Sequence, residues 1–218
     1  MIKSTDLNLK SFFIILFLFF VNSVLSQENN VNWDNIIQKN KIFYKKNDTK
    51  PFNGKVFGSK SGTMKYGIKS GIWKNFYKTN ITESIGLYVD GKKNEIWKYF
   101  YQTGNLQSKI YYLNNLRNGL AEFFWDNGLI QTQGNYSNGK RIGKWKSYDN
   151  AGSIKSIINY KSGLRDGVSE SFWGNGKIKV RSSYVNGILH GRWDSYDKNG
   201  NLHSSSICNE GTCKKTSN

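Results

Sequence analysis

The chain has 218 residues, a formal net charge of +17, 22 glycines, one proline and 15% aromatic side chains. Many rings and glycines with few long apolar runs exclude a helical bundle, which would need apolar residues at i, i+3, i+4 and i+7. The cationic excess favours anionic partners: phospholipid or lipopolysaccharide head groups, acidic glycans, nucleic acid or an acidic protein. A lysine- and asparagine-rich surface with no such partner is equally compatible with it.

Residues 1–26 read as a secretory signal. Lys3 and Lys10 precede the apolar run Phe12–Phe20, and Val24 and Ser26 supply the small residues before a cleavage point after Ser26. The run falls short of the roughly 20 apolar residues of a spanning helix. Cleavage removes Lys3, Lys10 and Asp6 and leaves a charge of about +16. The chain is therefore expected in the periplasm or outside the cell. Residues 27–50 form a polar lead with a possible first strand at Lys41-Ile-Phe-Tyr44, and 51–66 form an irregular capping unit.

From residue 67 to 203 one unit recurs every 24 residues, anchored at Gly71, Glu95, Gly119, Gly143, Gly167 and Gly191. With the anchor as position 1, position 3 holds Trp73, Trp97, Ala121, Trp145, Ser169 and Trp193. Position 6 is always aromatic, from Phe76 to Tyr196. Position 10 is Asn80 and then glycine, and position 12 is aliphatic after Thr82. Position 18 holds Tyr88, Tyr112, Tyr136, Tyr160 and Tyr184, and position 21 is glycine except at Asn115. Each unit reads as a β-hairpin. Positions 3–7 form one strand, a left-handed turn sits near position 10, and positions 12–18 form the return strand with period-two alternation. A second turn, Gly-x-x-x-Gly, ends at the next anchor. Glu95 at an anchor position predicts a local change of turn shape.

One hairpin cannot bury its apolar face alone, so neighbours must stack edge to edge. The predicted fold is all-β: an elongated, single-layer antiparallel meander of tandem hairpins. A closed barrel or sandwich made of the same hairpins is the rival. In that reading Trp73, Trp97, Trp145 and Trp193 hold the units together with the five tyrosines of position 18. Residues 204–218 form a C-terminal cap, where Cys208 and Cys213 flank a Gly-containing turn and fit a small disulfide in an exported chain.

The run Tyr136-Ser-Asn-Gly-Lys-Arg-Ile-Gly-Lys-Trp-Lys-Ser-Tyr148 resembles the MORN (membrane occupation and recognition nexus) repeat in its bacterial variant, and Tyr184 to Tyr196 is nearly as full a copy. The resemblance covers roughly residues 52–203. Proteins of this kind are often labelled antitoxin-like, which implies binding of a partner protein rather than catalysis. Ala121 and Ser169 depart from the pattern's tryptophan, and Glu95 from its anchor glycine.

The chemistry-bearing residues point the same way. His190 and His203 are too few and too far apart in the pattern for a metal site. Neither a phosphate-binding loop nor a nucleophile elbow is present, and Glu83, Glu122, Glu170 and Asp194 form no obvious pair. No cofactor or metal is implied, and a hydrolase is the weakest reading. The candidate partner-binding residues are the position 7 aromatics Tyr77, Tyr101, Trp125 and Trp173, with Lys98, Lys140, Arg141, Lys146 and Arg165. Position 7 is aspartate in two units, Asp149 and Asp197, so an aromatic there is not required by the fold everywhere. If exposed, these rings would form a recognition strip. The expected function is an exported, non-enzymatic repeat scaffold that binds a partner protein. The alternative is a basic adhesion module for anionic lipid, lipopolysaccharide or acidic glycan, with nucleic acid a poor fit for a secreted chain.

Overall fold

The computed structural model describes residues 29–216, so the predicted signal segment lies outside the described residues. A short β1 (Asn30–Asn32) leads into a single 3-10 turn, Trp33–Asn35. The hairpin of β2 (Ile36–Lys39) and β3 (Ile42–Lys45) makes a small sheet of its own. β4 (Gly54–Phe57) and β5 (Lys60–Lys65) begin the main sheet, and β1 runs parallel to β4.

The repeats follow as alternating nine- and eight-residue strands. They are β6 (Ile68–Phe76), β7 (Thr82–Val89), β8 (Lys92–Phe100), β9 (Leu106–Leu113), β10 (Leu116–Phe124) and β11 (Ile130–Ser137). They continue with β12 (Lys140–Tyr148), β13 (Ile154–Lys161), β14 (Leu164–Phe172), β15 (Ile178–Val185), β16 (Ile188–Tyr196) and β17 (Leu202–Asn209), and β18 (Thr212–Lys215) ends the sheet. All but β2 and β3 pair in sequence order into one open sheet of 16 strands, antiparallel apart from β1. The meander expected from the 24-residue period is therefore the fold, and the closed barrel is not.

Two turn types alternate along its edges. Near position 10, Gly128 N–H donates to the Trp125 carbonyl and Trp125 N–H to the Leu129 carbonyl, with Gly128 at φ +83°. The other turn has two residues, not five. Asn138 and Gly139 both take positive φ, 48° and 81°, as a type I′ hairpin requires. The anchor glycine therefore closes no turn. Gly143 lies within β12 at φ +63°, inside a bulge where Ile142 to Lys146 faces only Asn135 to Gln133. Two extra residues keep the alternation in phase, so each long strand begins three residues before its anchor. Glu95 does not alter this shape: it adopts the same left-handed backbone at φ +58°, which costs an L-residue about 1–2 kcal/mol.

The face that carries Trp145, called the front, packs by a size rule. Trp73, Trp97 and Trp145 lie flat on Gly62, Gly86 and Gly134 of the preceding strand, where an added Cβ would meet the indole at 2.4, 2.2 and 2.3 Å. Each indole N–H reaches a carbonyl of that strand, those of Thr63, Leu87 and Asn135. The units without tryptophan reverse the sizes: Ala121 pairs with Ile110 and Ser169 with Ile158. Large-on-small and small-on-large fill the same volume, which is what dense packing demands. Trp193 pairs with Ser182, whose β-carbon occupies the seat a glycine leaves open, and that indole is only half-buried.

The ends are finished differently. The β2–β3 hairpin covers the first units of the front face, with Trp33 edge-on to Trp73 at 6.1 Å and Phe43 N–H bonded to the Gly67 carbonyl. At the far end a disulfide joins Cys208 to Cys213 directly across the last hairpin, and Lys214 and Lys215 charge the edge strand against pairing with another chain.

Candidate functional site

The position 7 aromatics do not form an exposed strip. Tyr77, Tyr101, Trp125 and Trp173 are all half-buried between neighbouring units. The Tyr77 hydroxyl donates to the Phe100 carbonyl at 2.8 Å, Tyr101 to the Phe124 carbonyl at 2.7 Å, and the Trp173 indole to the Tyr196 carbonyl at 3.1 Å. These three rings tie each unit to the next one along a turn edge, whereas the buried Trp125 indole N–H has no hydrogen-bond partner among the described residues. Asp149 and Asp197 do another task at the same position, accepting backbone N–H bonds that close their own turns.

The basic candidates divide between the faces. Lys98 and Lys146 lie on the back, opposite Ile85 and Gln133, and Lys140 sits at a strand start beside the Gly163 turn. Arg141 and Arg165 stand on the front. They belong to a series visible only once the strands are aligned: Lys69, Lys93, Arg117, Arg141 and Arg165, two residues before each successive anchor. The signal lies in the same 24-residue interval, since a lysine or arginine stands two residues before five of the six anchors.

Each of these cations sits above tyrosine or tryptophan rings. Lys93 Nζ lies 4.2 Å from the Trp97 ring centre, and Arg141 Cζ 4.3 Å from that of Trp145. Arg117 and Arg165 keep only tyrosine, Tyr136 at 5.3 Å and Tyr184 at 5.2 Å, because Ala121 and Ser169 replace the indole. Arg117, Arg141 and Arg165 also donate to the hydroxyls of Tyr136, Tyr160 and Tyr184 at 3.1, 3.3 and 3.1 Å. The backbone beneath them is fixed by the following turn. Asn115, Gly139, Gly163 and Gly187 N–H groups donate to the carbonyls of Lys93, Arg117, Arg141 and Arg165 at 2.7–2.9 Å. Among the described residues none of the five cations is in an ion pair, since the pairs formed are Lys109–Glu122, Arg181–Glu170 and Arg192–Asp194.

Lys69 differs from the others because the N-terminal hairpin covers it. Trp33, Trp73 and Tyr88 surround its ammonium. Burial, helped by repulsion from Lys60 and Lys93, lowers its pKa from the ordinary 10.5 to about 8. Burial lowers Lys93 as well and raises the hydroxyls of Tyr88, Tyr99 and Tyr112.

The back face changes character along its length. Facing pairs at the equivalent place are Ile72–Leu87, Ile96–Tyr111 and Leu120–Asn135 in the first units, then Lys144–Asn159, Val168–Ser183 and Arg192–Ile207 further on. Ile72, Ile96 and Leu120 are exposed at 58%, 54% and 51% and recur once per unit. With Ile85, Leu87 and Tyr111 they line two adjoining shallow grooves. At the far end Asp194 is buried. Burial opposes its charge, but Ser205 and Arg192 hydrogen bonds outweigh that and hold its carboxyl below the ordinary value. Among the described residues no three His, Cys, Asp or Glu side chains converge to hold a metal, and no helix is long and apolar enough to cross a membrane.

This hairpin geometry meets its counterpart in a family model. Residues 96–114, 117–138, 141–162 and 165–186 match the MORN repeat variant. Four consecutive turn-to-turn segments are thus MORN-like, and such repeats are in general modules that bind proteins or membranes. The matched stretch begins at Ile96, the second of the exposed apolar residues, and includes Arg117, Arg141 and Arg165. No curated protein matches the chain. Among solved structures, the crystal structure of a GtfA/B complex bound to UDP and GlcNAc is similar at a TM-score of 0.24 and 11% identity. That alignment covers 50% of this chain and 22% of the other, and so weak a likeness carries no argument.

Proposed function

We propose that the protein is a non-enzymatic binding scaffold that holds a partner protein against the back of its first MORN-like units. The observation that carries this reading is the row Ile72, Ile96 and Leu120, apolar and half or more exposed at equivalent places in three successive units. Water-exposed aliphatic residues aligned in a strip are the usual mark of a docking surface. The partner it suits has an apolar ridge, and Lys74 and Lys98, two residues along the same strands, favour carboxylates beside that ridge. An antitoxin-like role, as the bacterial variant implies, is one form of this reading, with a toxin as the partner.

Export is part of the proposal. The basic start, the apolar run Phe12–Phe20 and the small residues Val24 and Ser26 support it, as does the disulfide of Cys208 and Cys213.

The test is site-specific crosslinking in the native host. A photoreactive residue replacing Ile96 should form a protein adduct that Leu120→Lys abolishes, while the same residue replacing Lys144 should give none. Equal adducts at both positions, or none at Ile96, would overturn the reading. An adduct of twice the chain's own mass would make the partner a second copy.

A further inference from the structure

We infer that the front-face ladder of Lys93, Arg117, Arg141 and Arg165 is a binding track for an anionic polysaccharide with one carboxylate or sulfate per disaccharide. The track is on the other face from the proposed docking strip and is independent of it. Three properties carry the inference.

The first is that the charge is not explained by packing. Trp97 and Trp145 give Lys93 and Arg141 an indole to rest on, yet Arg117 and Arg165 persist above Ala121 and Ser169, where that indole is missing. No carboxylate among the described residues neutralises any of them. Arg117 is hydrogen-bonded to the hydroxyls of Tyr112 and Tyr136, Arg141 to those of Tyr136 and Tyr160, and Arg165 to that of Tyr184, which leaves part of each five-donor guanidinium for a ligand. Arg117, Arg141 and Arg165 are exposed, and a guanidinium fork held in place in this way matches a carboxylate or sulfate.

The second is spacing. Adjacent strands lie about 4.8 Å apart, so cations on every other strand recur about every 10 Å, and four of them span about 30 Å. Two pyranose rings of an extended polysaccharide advance by a similar length, which brings one acidic group to each cation. The track is also bounded. At one end Trp33 and the β2–β3 hairpin cover Lys69, and at the other Leu189 stands where the next cation would be.

The third is the lack of free ring faces. Trp97 and Trp145 lie flat on glycines beneath and carry cations above. Single-stranded nucleic acid binds by stacking its bases on open aromatic faces, and these are occupied. The charged groups and tyrosine hydroxyls are what the track offers, and they suit a ligand that presents acids and hydroxyls.

The test uses the full mature chain and hyaluronan fragments, which carry one carboxylate per disaccharide. An octasaccharide should bind in low salt more tightly than a tetrasaccharide, and a neutral chitin oligomer of equal length should not bind. Arg117→Gln/Arg141→Gln/Arg165→Gln should weaken the octasaccharide by roughly tenfold or more. Lys144→Gln/Lys146→Gln/Lys161→Gln removes the same charge from the back face, outside the docking strip, and should change it by less than about twofold. Because the arginines also brace tyrosines, an Arg→Lys triple serves as the second variant: it keeps the charge, loses the fork, and should fall between wild type and the Gln triple. Equal loss from both Gln triples would reduce the effect to net charge and overturn the track. So would absence of octasaccharide binding. Tighter binding of single-stranded DNA or of phosphatidylglycerol vesicles, abolished by the front triple, would reassign the ladder to phosphate.

Discussion

The units centred on Trp97 and Trp145 and those centred on Ala121 and Ser169 share a backbone but fill it in opposite ways. In the former a glycine on the preceding strand makes room for an indole, and in the latter an isoleucine there leaves room only for a methyl or hydroxymethyl group. What must be satisfied is the summed volume of a cross-strand pair, not the identity of either member. The arginine or lysine two residues before the anchor ignores the exchange and stays in both kinds of unit. Packing and charge therefore follow separate rules on one face, and that separation is open to experiment.

The largest effect is expected from breaking a pair. Trp145→Ala leaves a cavity above Gly134 and should destabilise the protein by about 3–5 kcal/mol. Gly134→Ile drives a side chain into the indole and should cost about 1–3 kcal/mol or more. The double variant recreates the Ile110–Ala121 arrangement, so it should be more stable than the sum of the singles by about 2–3 kcal/mol. Urea unfolding of the four proteins gives this coupling directly. Strict additivity would mean that the two kinds of unit are not interchangeable solutions.

The sequence makes the hairpin array legible because its signals are local and periodic: Tyr160, Tyr148 and Trp145 recur at fixed offsets, and period-two alternation defines a strand. It does not say which glycine of a pair bends the chain. Gly139 and Gly143 both look like turn residues, and both take positive φ, but one ends a hairpin and the other bulges a strand. The Asn138-Gly139 and Asn186-Gly187 dipeptides carry the type I′ signal that separates them. At position 7 the inference from variation to exposure fails for a different reason. Asp149 closes its turn by side-chain hydrogen bonds, whereas Tyr101 closes the seam to the next unit, so two residue types serve one buried-edge position. The size exchange between positions 3 and 16 needs strand register, which no single unit reveals.

The first tryptophan unit allows a sharper comparison, because its cation is the one that the N-terminal hairpin covers. Lys69 has its pKa lowered to about 8 in the folded protein, against an ordinary 10.5. Between those values the unfolded chain binds more protons than the folded one, so stability should rise as the pH is raised from 8. Tyr88, Tyr99 and Tyr112 are shifted upward, so they act in the opposite sense once free tyrosine ionises near 10. The window for Lys69 is therefore pH 8 to 10. Lys69→Met should flatten most of the rise, with Lys93, also lowered by burial, leaving a remainder. Denaturation midpoints at pH 7.5, 8.5 and 9.5 read the slope. An unchanged slope in Lys69→Met would show that the N-terminal hairpin does not desolvate this ammonium.

The smallest effect separates stability from charge. Arg141 rests on Trp145 and Tyr160, whereas Arg117 rests on Tyr136 with Ala121 beside it. A cation over a ring at an exposed site contributes about 0.5–1 kcal/mol. Arg141→Gln should therefore cost about 0.5 kcal/mol more than Arg117→Gln, a difference resolvable by paired thermal melts. Both variants nonetheless remove one rung of the ladder and one unit of charge, so they should weaken a bound polyanion to the same degree. If Arg117→Gln costs as much stability as Arg141→Gln, the indole adds nothing to the cation's seat. If binding instead follows stability from one variant to the other, the arginines act by holding rings in place. Equal binding loss with unequal stability loss is the result that assigns the indole to the fold and the guanidinium to the ligand.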